Sequence, residues 1–280
     1  MRTLSTYYLP LLLLFLFSRK GDMHIQKIKL NPSPKAIISI VKYQNGLLYA
    51  ARPLVKNSKW AMYYSEFGEQ QTSFAKAKRI KIVDKLAGRR HFVPGAYRPE
   101  TKELYFTTVS KVGKKNVHLA IAKGTLSDLK LTDIELLNFN DPNHHYAHPT
   151  LFSDGRRMIL SSSMDGNMNL YQFSKDSLGQ WQLDRRILEL ESGYDEILPN
   201  LLNDSTLVFS SNRDTGKGSF DLYITRAERP DFWGAPKNLA EFNGHNDEFS
   251  YFQLDSTHGY FTSADTIFGS TDFLYFDREE

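Results

Sequence analysis

Hydrophobic residues recur along the chain in five short clusters that end in small hydroxylated residues or in alanine. The clusters begin at Leu47, Leu104, Met158, Leu207 and Gly259, so successive starts are separated by 57, 54, 49 and 52 residues. A sustained period of about 50 residues is typical of a propeller or a solenoid, in which every repeat is one structural unit. The spacing therefore predicts five copies of one unit.

Each cluster has the surroundings of a four-stranded unit. A strand precedes the cluster across a polar turn, and Asp154-Gly155 is a strong signal for such a hairpin because both turn positions tolerate positive φ. A third strand follows in every repeat, and a fourth is predicted at 80–82, 134–136, 187–190 and near Leu239. This organisation predicts an all-β fold, a five-bladed β-propeller with four antiparallel strands per blade.

The two ends of the repeat region complement each other. The fifth repeat ends after its third strand, at 273–277, and the segment 26–30 has the alternation of a strand but stands before the first repeat. We expect this N-terminal strand to complete the last blade, because a closed ring leaves few sheet edges exposed. A pair of β-sandwiches would explain neither the period nor the match between the ends.

The first 22 residues have the pattern of a targeting segment. Arg2 gives a basic start, and residues 7–17 form an almost unbroken apolar run that is short for a membrane span and typical of a secretory signal. Arg19 stands where a bacterial lipoprotein signal needs cysteine, so lipid anchoring is not supported. We expect residues 1–22 to be a signal peptide or N-terminal anchor, residues 23–280 to form the propeller, and the protein to lie in the periplasm or cell envelope.

Two repeats carry a more specific pattern. The stretch 199–223 reads P-N-L-L-N-D-S-T-L-V-F-S-S-N-R-D-T-G-K-G-S-F-D-L-Y and is followed by W-G-A-P-K-N-L at 233–239, and the stretch 153–171 is close to it. These segments resemble the WD-repeat-like propeller unit of the TolB type, whereas the first two repeats keep only its rhythm. The resemblance implies a bacterial envelope protein whose propeller is an interaction platform. TolB proteins have an additional domain and six blades, so their particular partners are not carried over.

Composition limits the chemistry. The chain has no cysteine, which excludes disulfides, thiolate metal sites and a cysteine nucleophile, and it has no G-x-S-x-G, P-loop or H-E-x-x-H motif. His144, His145 and His148 are close together, but consecutive residues of an extended segment point in opposite directions, so we expect no metal site there. We also expect no catalytic residue and no cofactor, and we expect Arg213 and Asp221 to fix a loop.

Ionisable residues recur where the chain enters the innermost strand of each repeat, at one mouth of the predicted central channel. Side chains that converge there from separate blades can bind a cation, a sugar or a peptide end. Glu196 and Glu248 are also candidates for the carboxylate pair of a glycosidase, which is the enzymatic alternative. The residues of this predicted binding site are His91, Tyr146, His148, Asp195, Glu196, His245, Asp247 and Glu248.

Charge is divided unevenly along the chain. Residues 24–140 hold 21 Lys and Arg against 8 Asp and Glu, or +13, whereas residues 141–280 hold 11 against 23, or −12. Such an asymmetry steers association with charged partners. We expect a basic docking surface on the first two blades, formed by Lys76, Lys78, Arg79, Lys81, Lys85, Arg89 and Arg90.

The leading hypothesis for function is a non-catalytic, exported scaffold for protein–protein interaction in the bacterial envelope. Its partner would be an envelope protein or an anionic polymer of the envelope, and the charge is compatible with peripheral membrane association. Nucleic acid fits the charge but not the export signal, and we expect a monomer. The alternative is a glycan-binding or glycoside-hydrolysing propeller with its site at the channel mouth. A solvated basic face without a ligand is the simplest competing interpretation of the charge.

Overall fold

The computed structural model of the chain describes residues 22–53, 59–83, 91–112, 116–265 and 270–279. These residues form five sheets that are arranged as the blades of one ring. Among them the helical structure is a single 3-10 turn at Leu188–Leu190, and no helix in these ranges is long and apolar enough to span a membrane. The prediction of an all-β, five-bladed propeller is confirmed.

Every blade has its first strand nearest the axis and its fourth strand at the rim. The first blade consists of β2 (Ala36–Tyr43), β3 (Gly46–Arg52), β4 (Ala61–Glu66) and β5 (Lys78–Arg79), and the second of β7 (Phe92–Arg98), β8 (Glu103–Val112), β9 (Asn116–Ser127) and β10 (Lys130–Leu136), with β6 (Lys81–Ile82) alongside. The third consists of β11 (Tyr146–Leu151), β12 (Arg157–Ser162), β13 (Asn169–Lys175) and β14 (Trp181–Arg186). The fourth consists of β15 (Glu196–Asn203), β16 (Thr206–Ser211) and β17 (Asp221–Arg229), with β18 (Phe232–Trp233) and β19 (Lys237–Asn238) both paired to β17. The fifth consists of β20 (Asp247–Gln253), β21 (His258–Asp265), β22 (Ser270–Arg278) and β1 (Met23–Ile28).

The N-terminal strand completes the last blade, as the sequence predicted. Strand β1 pairs antiparallel with β22, and the register places Met23 opposite Arg278 and Ile28 opposite Phe273. Ile28 is 5% exposed, and it belongs to a hydrophobic cluster shared by the fifth and first blades. The ring is therefore closed by strands from opposite ends of the repeat region.

The hydrophobic core consists of layers between neighbouring blades. Each of five buried clusters combines residues of two adjacent blades, so every sheet is covered on both faces. Tyr105 of the second blade packs edge-on against Trp181 of the third, with ring centroids 6.0 Å apart. Phe242 and Phe276 pack in the same way between the fourth and fifth blades, at 5.0 Å. The high aromatic content of the chain fills these layers.

The fourth strands differ in detail from the sequence prediction. In the first blade the rim strand ends at Arg79, and β6 leaves that blade to pair in parallel with β10 of the second. In the third blade the rim strand is β14, and the residues predicted as a strand at 187–190 include the 3-10 turn. The apolar signal came from residues that anchor the end of the rim strand: each is buried and donates its backbone N–H to the third strand. These anchors are Ile80, Leu137, Ile187 and Leu239.

Strand β1 offers a matched test of ring closure. Replacing Ile28 by alanine should lower the free energy of unfolding by about 2–4 kcal/mol, because a buried side chain is removed from the layer between two blades. Ile25 lies on the same strand but is 43% exposed, so its replacement by alanine should change stability by less than about 0.5 kcal/mol. Chemical denaturation of both variants measures the difference. Two equally small effects would contradict closure by β1.

Candidate functional site

The connections that lead into the innermost strands emerge on one face of the ring. We call this the loop face, and it is defined by the starts of β2, β7, β11, β15 and β20. Connections on a rigid scaffold are where binding residues are most often found. The residues that the sequence predicted for a channel-mouth site all belong to the starts of these strands or to the connections before them, except His148, which lies two residues inside β11.

The axis of the ring is filled by the innermost strands themselves. Each of these strands has a β-bulge at nearly the same level, and a bulge bends its strand and frees backbone groups from the ladder. The residues with positive φ at four of the five bulges are Ser39, His148, Leu198 and Ser250. The space that remains between the strands is about 20 Å³, which is the scale of one water molecule.

The bulges are tied to one another across the blades. The backbone N–H of Ser39 donates to Oγ of Ser250 at 2.7 Å, and that of His148 donates to Oγ1 of Thr107 at 2.8 Å. Nδ1 of His148 accepts the N–H of Leu198 at 3.4 Å. Because burial lowers the pKa of His148 to about 4, the ring stays neutral and keeps this acceptor. His148 therefore acts as a link between blades.

Glu196 lies between the third and fourth blades. Its side chain is buried, and Oε1 accepts hydrogen bonds from the hydroxyls of Ser192 and Ser211 and from Nη2 of Arg213 at 3.2 Å. Arg213 also donates to the carbonyl of Leu190 at 2.9 Å. Burial raises the pKa of Glu196, while Ser192 and Arg213 oppose that increase. The arrangement fixes the connection before β15, so Arg213 has the structural role that the sequence predicted.

Glu248 occupies the corresponding position between the fourth and fifth blades, but its surroundings differ. Oε2 accepts the N–H of Gly244 and Oε1 accepts the hydroxyl of Ser263, each at 3.0 Å. No cation pairs with Glu248 in the described part of the chain. Burial raises its pKa to about 7, and the carboxylates of Asp221 and Asp247 add to the increase.

Glu196 and Glu248 belong to separate hydrogen-bond networks between different pairs of blades. Both are at most 2% exposed, whereas a glycosidase pair must flank a substrate bond from two sides. The sequence prediction treated Glu196 and Glu248 as a possible pair. The structure places them in two separate networks, each with its own partners. Sequence alternation identified the strand starts correctly but could not tell which neighbouring blade each side chain faces.

The other predicted residues of the channel mouth have different surroundings. Tyr146 is buried between the second and third blades against Phe139, with ring centroids 5.5 Å apart. Asp195 accepts the N–H of Met168 at 2.9 Å. Asp247 accepts the N–H groups of residues 219 and 220, His245 is exposed and His91 is partly buried.

The loop that precedes β17 is organised by a carboxylate, as expected. Asp221 accepts the backbone N–H groups of Lys217 and Gly218, the latter at 3.1 Å. Nδ1 of His145 accepts the N–H of Leu119 at 3.0 Å, so this imidazole also has a structural partner. Across the described ranges no group of three or more His, Asp or Glu side chains is placed to hold a metal ion.

A cleft that the sequence did not single out lies between the first and second blades at the loop face. Its volume is about 380 Å³, and Trp60 and Phe92 contribute to its apolar lining. Ligand sites typically have volumes of about 300–1,000 Å³. Lys59, Arg79 and Lys81 also line the cleft, and all three are exposed. We call it the Trp60 cleft. Its signals in the sequence are a tryptophan beside a lysine in the connection before β4 and His91, a predicted channel-mouth residue that lines this cleft.

The predicted basic surface is partly described. Lys76, Lys78, Arg79 and Lys81 are exposed along the rim of the first blade and its passage into the second. Lys85, Arg89 and Arg90 lie outside the described residues. The Trp60 cleft is adjacent to this surface, since Arg79 and Lys81 belong to both.

Comparison with known proteins identifies the fold of this chain but shows no family to which it belongs. No protein-family model matches the sequence, and no curated protein matches it. Among solved structures, the chain is similar to an endo-arabinase from Bacteroides thetaiotaomicron, with 11% identity and a TM-score of 0.59 over 91% of this chain and 98% of that one. It is also similar to an exo-beta-1,3-galactanase from Phanerochaete chrysosporium, with 10% identity and a TM-score of 0.57 over 92% of this chain and 64% of that one.

A TolB structure from Acinetobacter baumannii also matches, with 13% identity and a TM-score of 0.47 over 88% of this chain. The match covers 55% of that structure, so this chain spans about half its length. At these identities the similarities show the propeller fold alone.

Glu248 makes stability depend on pH. Its pKa is about 7 in the folded protein against 4.5 for an ordinary glutamate, so the folded state binds more protons between these values. The contribution of Glu248 to stability should therefore fall as pH rises from about 4.5 to 7, by up to about 3 kcal/mol. His148, whose pKa is lowered from 6.5 to about 4, contributes in the opposite direction between those two values. Unfolding by denaturant at pH 5 and pH 8, in the unaltered protein and in a Glu248 variant, isolates the contribution of Glu248.

Glu248→Gln should change the stability difference between pH 5 and pH 8 by up to about 3 kcal/mol, because glutamine stays uncharged at every pH and the contribution of Glu248 is lost. Glu228→Gln is the control, since Glu228 is exposed. An unchanged difference between pH 5 and pH 8 in Glu248→Gln would refute the assignment to Glu248.

Proposed function

We propose that this chain is a non-catalytic propeller of the bacterial envelope that acts as an interaction platform, with the basic part of the loop face and adjoining rim as its docking surface. The single observation that carries the proposal is the distribution of unpaired charge. Five of the eleven cations of residues 141–280 form ion pairs with carboxylates, whereas none of the described cations of the basic surface does so within the described residues.

In the acidic half of the ring, five arginines are paired with carboxylates. Arg157 pairs with Asp154 at 2.8 Å, Arg185 pairs with Glu189 at 2.9 Å, and Arg213 pairs with a buried carboxylate. In the first blade the situation is reversed, because Lys76 and Lys78 are exposed and form no ion pair within the described ranges. Unpaired cations on one sector create a field that attracts and orients an anionic partner.

Two features support a binding role over catalysis. Among the described residues, the space between the innermost strands is on the scale of a water molecule, and Glu196 and Glu248 are buried in structural networks. The similarity to an arabinase and a galactanase concerns the fold, which hosts unrelated functions. We therefore favour the platform over a glycoside-hydrolysing propeller.

Export and partner class are further parts of the proposal. The apolar run at 7–17 and the resemblance to TolB-type repeats both favour the periplasm or cell envelope. The partner would be an acidic envelope protein or an anionic envelope polymer, met by a monomeric propeller. The charge division would orient the molecule during encounter, with the acidic blades turned away.

The test compares two lysines at equivalent positions. Lys78 lies opposite Tyr64 on the rim of the basic first blade, and Lys237 lies opposite Ile224 on the rim of the acidic fourth blade. We expect Lys78→Glu combined with Lys76→Glu to slow association with a native envelope fraction several-fold, with little change in dissociation, because rim charges act on encounter. Lys237→Glu should leave the association rate unchanged or nearly so.

Association should also weaken as salt rises, since screening acts over about 8 Å at physiological ionic strength. Biosensor kinetics with the chain immobilised give both rates, and protease treatment of the fraction tells a protein partner from a polymer. Equal rates and equal salt dependence for both lysine variants would show that the charge division plays no part in recognition. Release of sugar from envelope glycans that is lost in Glu196→Gln and Glu248→Gln would favour the enzymatic alternative.

A further inference from the structure

The Trp60 cleft combines an apolar lining with exposed cations. Its lining is apolar at Trp60 and Phe92, and its cations are Lys59, Arg79 and Lys81. None of these three cations forms an ion pair with another described residue, and no acidic side chain is part of the described lining. Three unneutralised cations at one cleft favour an anionic ligand.

The aromatic side chains that line the cleft, Trp60 and Phe92, restrict the shape of that ligand. Trp60 is partly buried, and the guanidinium of Arg52 lies 5.6 Å from the centre of its ring. An indole held in this way presents a flat apolar surface that pairs with another flat or apolar face. Phe92 is 6% exposed at the start of the innermost strand of the second blade, so the floor of the cleft rests on the core of the ring.

The cleft is supported by regular structure on both sides. The N–H of Ile80 donates to the carbonyl of Met62 at 3.0 Å, and the N–H of Lys81 donates to the carbonyl of Leu129 in the second blade at 2.9 Å. Arg79 and Lys81 therefore lie on a segment that is hydrogen-bonded to both blades. A site on such rigid elements loses little conformational entropy when a ligand binds.

We propose that the Trp60 cleft binds an acidic sugar unit of an anionic polysaccharide. A pyranose ring has an apolar face of C–H groups that can lie on Trp60, while its carboxylate meets the cations of the rim. The volume of about 380 Å³ lies within the range of ligand sites. The exposed Lys76 and Lys78 continue the positive surface beyond the cleft, which suits neighbouring units of a polymer. This inference rests on the proposed function and names the ligand class at its docking surface.

A defined probe tests the ligand class. The probe is the hexamer of galacturonic acid, and its fully methyl-esterified form is the neutral control with the same sugar rings. We expect the acid form to bind and the ester to bind at least tenfold more weakly. Calorimetric titration of residues 22–280 measures both affinities, and affinity for the acid form should fall as salt rises because each contact neutralises a charge.

Variants of the cleft test its contribution. Trp60→Ala should weaken binding of the hexamer at least tenfold, and Trp60→Phe should restore part of it because a flat ring remains. Lys59→Ala combined with Lys81→Ala should weaken binding and also flatten its salt dependence. Lys237→Ala, at an exposed rim position of the fourth blade, is the control and should bind as the unaltered protein does. Thermal unfolding of each variant shows whether the fold is kept.

Three outcomes would overturn the inference. These are equal binding of the acid and the methyl ester, equal binding by Trp60→Ala and the unaltered protein, and tighter binding of polyglutamate or of phosphatidylglycerol vesicles than of the sugar acid. The last would indicate an acidic peptide or a membrane surface as the occupant.

If the hexamer fails to bind while salt-dependent association with the envelope fraction persists, the inference is wrong and the proposed platform stands. If both fail, the platform is wrong as well.

Discussion

The sheets of this ring are covered on both faces only by their neighbours, so the whole structure depends on closing the circle. Each buried cluster is shared by two blades, and an open ring would expose one face of two sheets. Pairing of β1 with β22 supplies the closure, because it joins opposite ends of the repeat region in one sheet. The inward bulges at the axis follow from the same constraint, since five innermost strands must meet around a space the size of one water molecule.

Close packing between blades also explains the buried acids. Where the hydrophobic layers end near the loop face, polar side chains must find partners inside the interface, because an unpaired buried charge is costly. Glu196 forms an ion pair with Arg213. An aspartate, Asp265, holds the sequence position in the fifth repeat that Arg213 holds in the fourth. Burial raises the pKa of both carboxyls, but no cation pairs with Glu248 within the described residues, and its pKa reaches about 7.

Periodicity predicted the blade count, the strand order and the closure from residues alone, because burial between blades repeats with the unit. The rim strands were misplaced where an apolar residue such as Ile187 anchors the strand end, since such a residue produces the same signal as a strand. The channel-mouth site was predicted from position along the chain, but whether Glu196 faces the axis or the third blade depends on packing between blades. The Trp60 cleft was missed because Trp60 and Phe92 are far apart in sequence and meet only when two blades pack.

Charge pairing separates what the fold uses from what it leaves free. In the blades where acids predominate, five of the eight arginines are held by carboxylates within hydrogen-bond distance, and these pairs stabilise turns and connections. In residues 24–140 lysines and arginines outnumber the acids by 21 to 8, so most of these cations exceed the acids available in that part of the chain. Their excess has no role in closing the ring, which the hydrophobic layers and β1 already accomplish. A surface charge that the fold does not need, placed beside an aromatic cleft, is best explained by a ligand that carries the opposite charge.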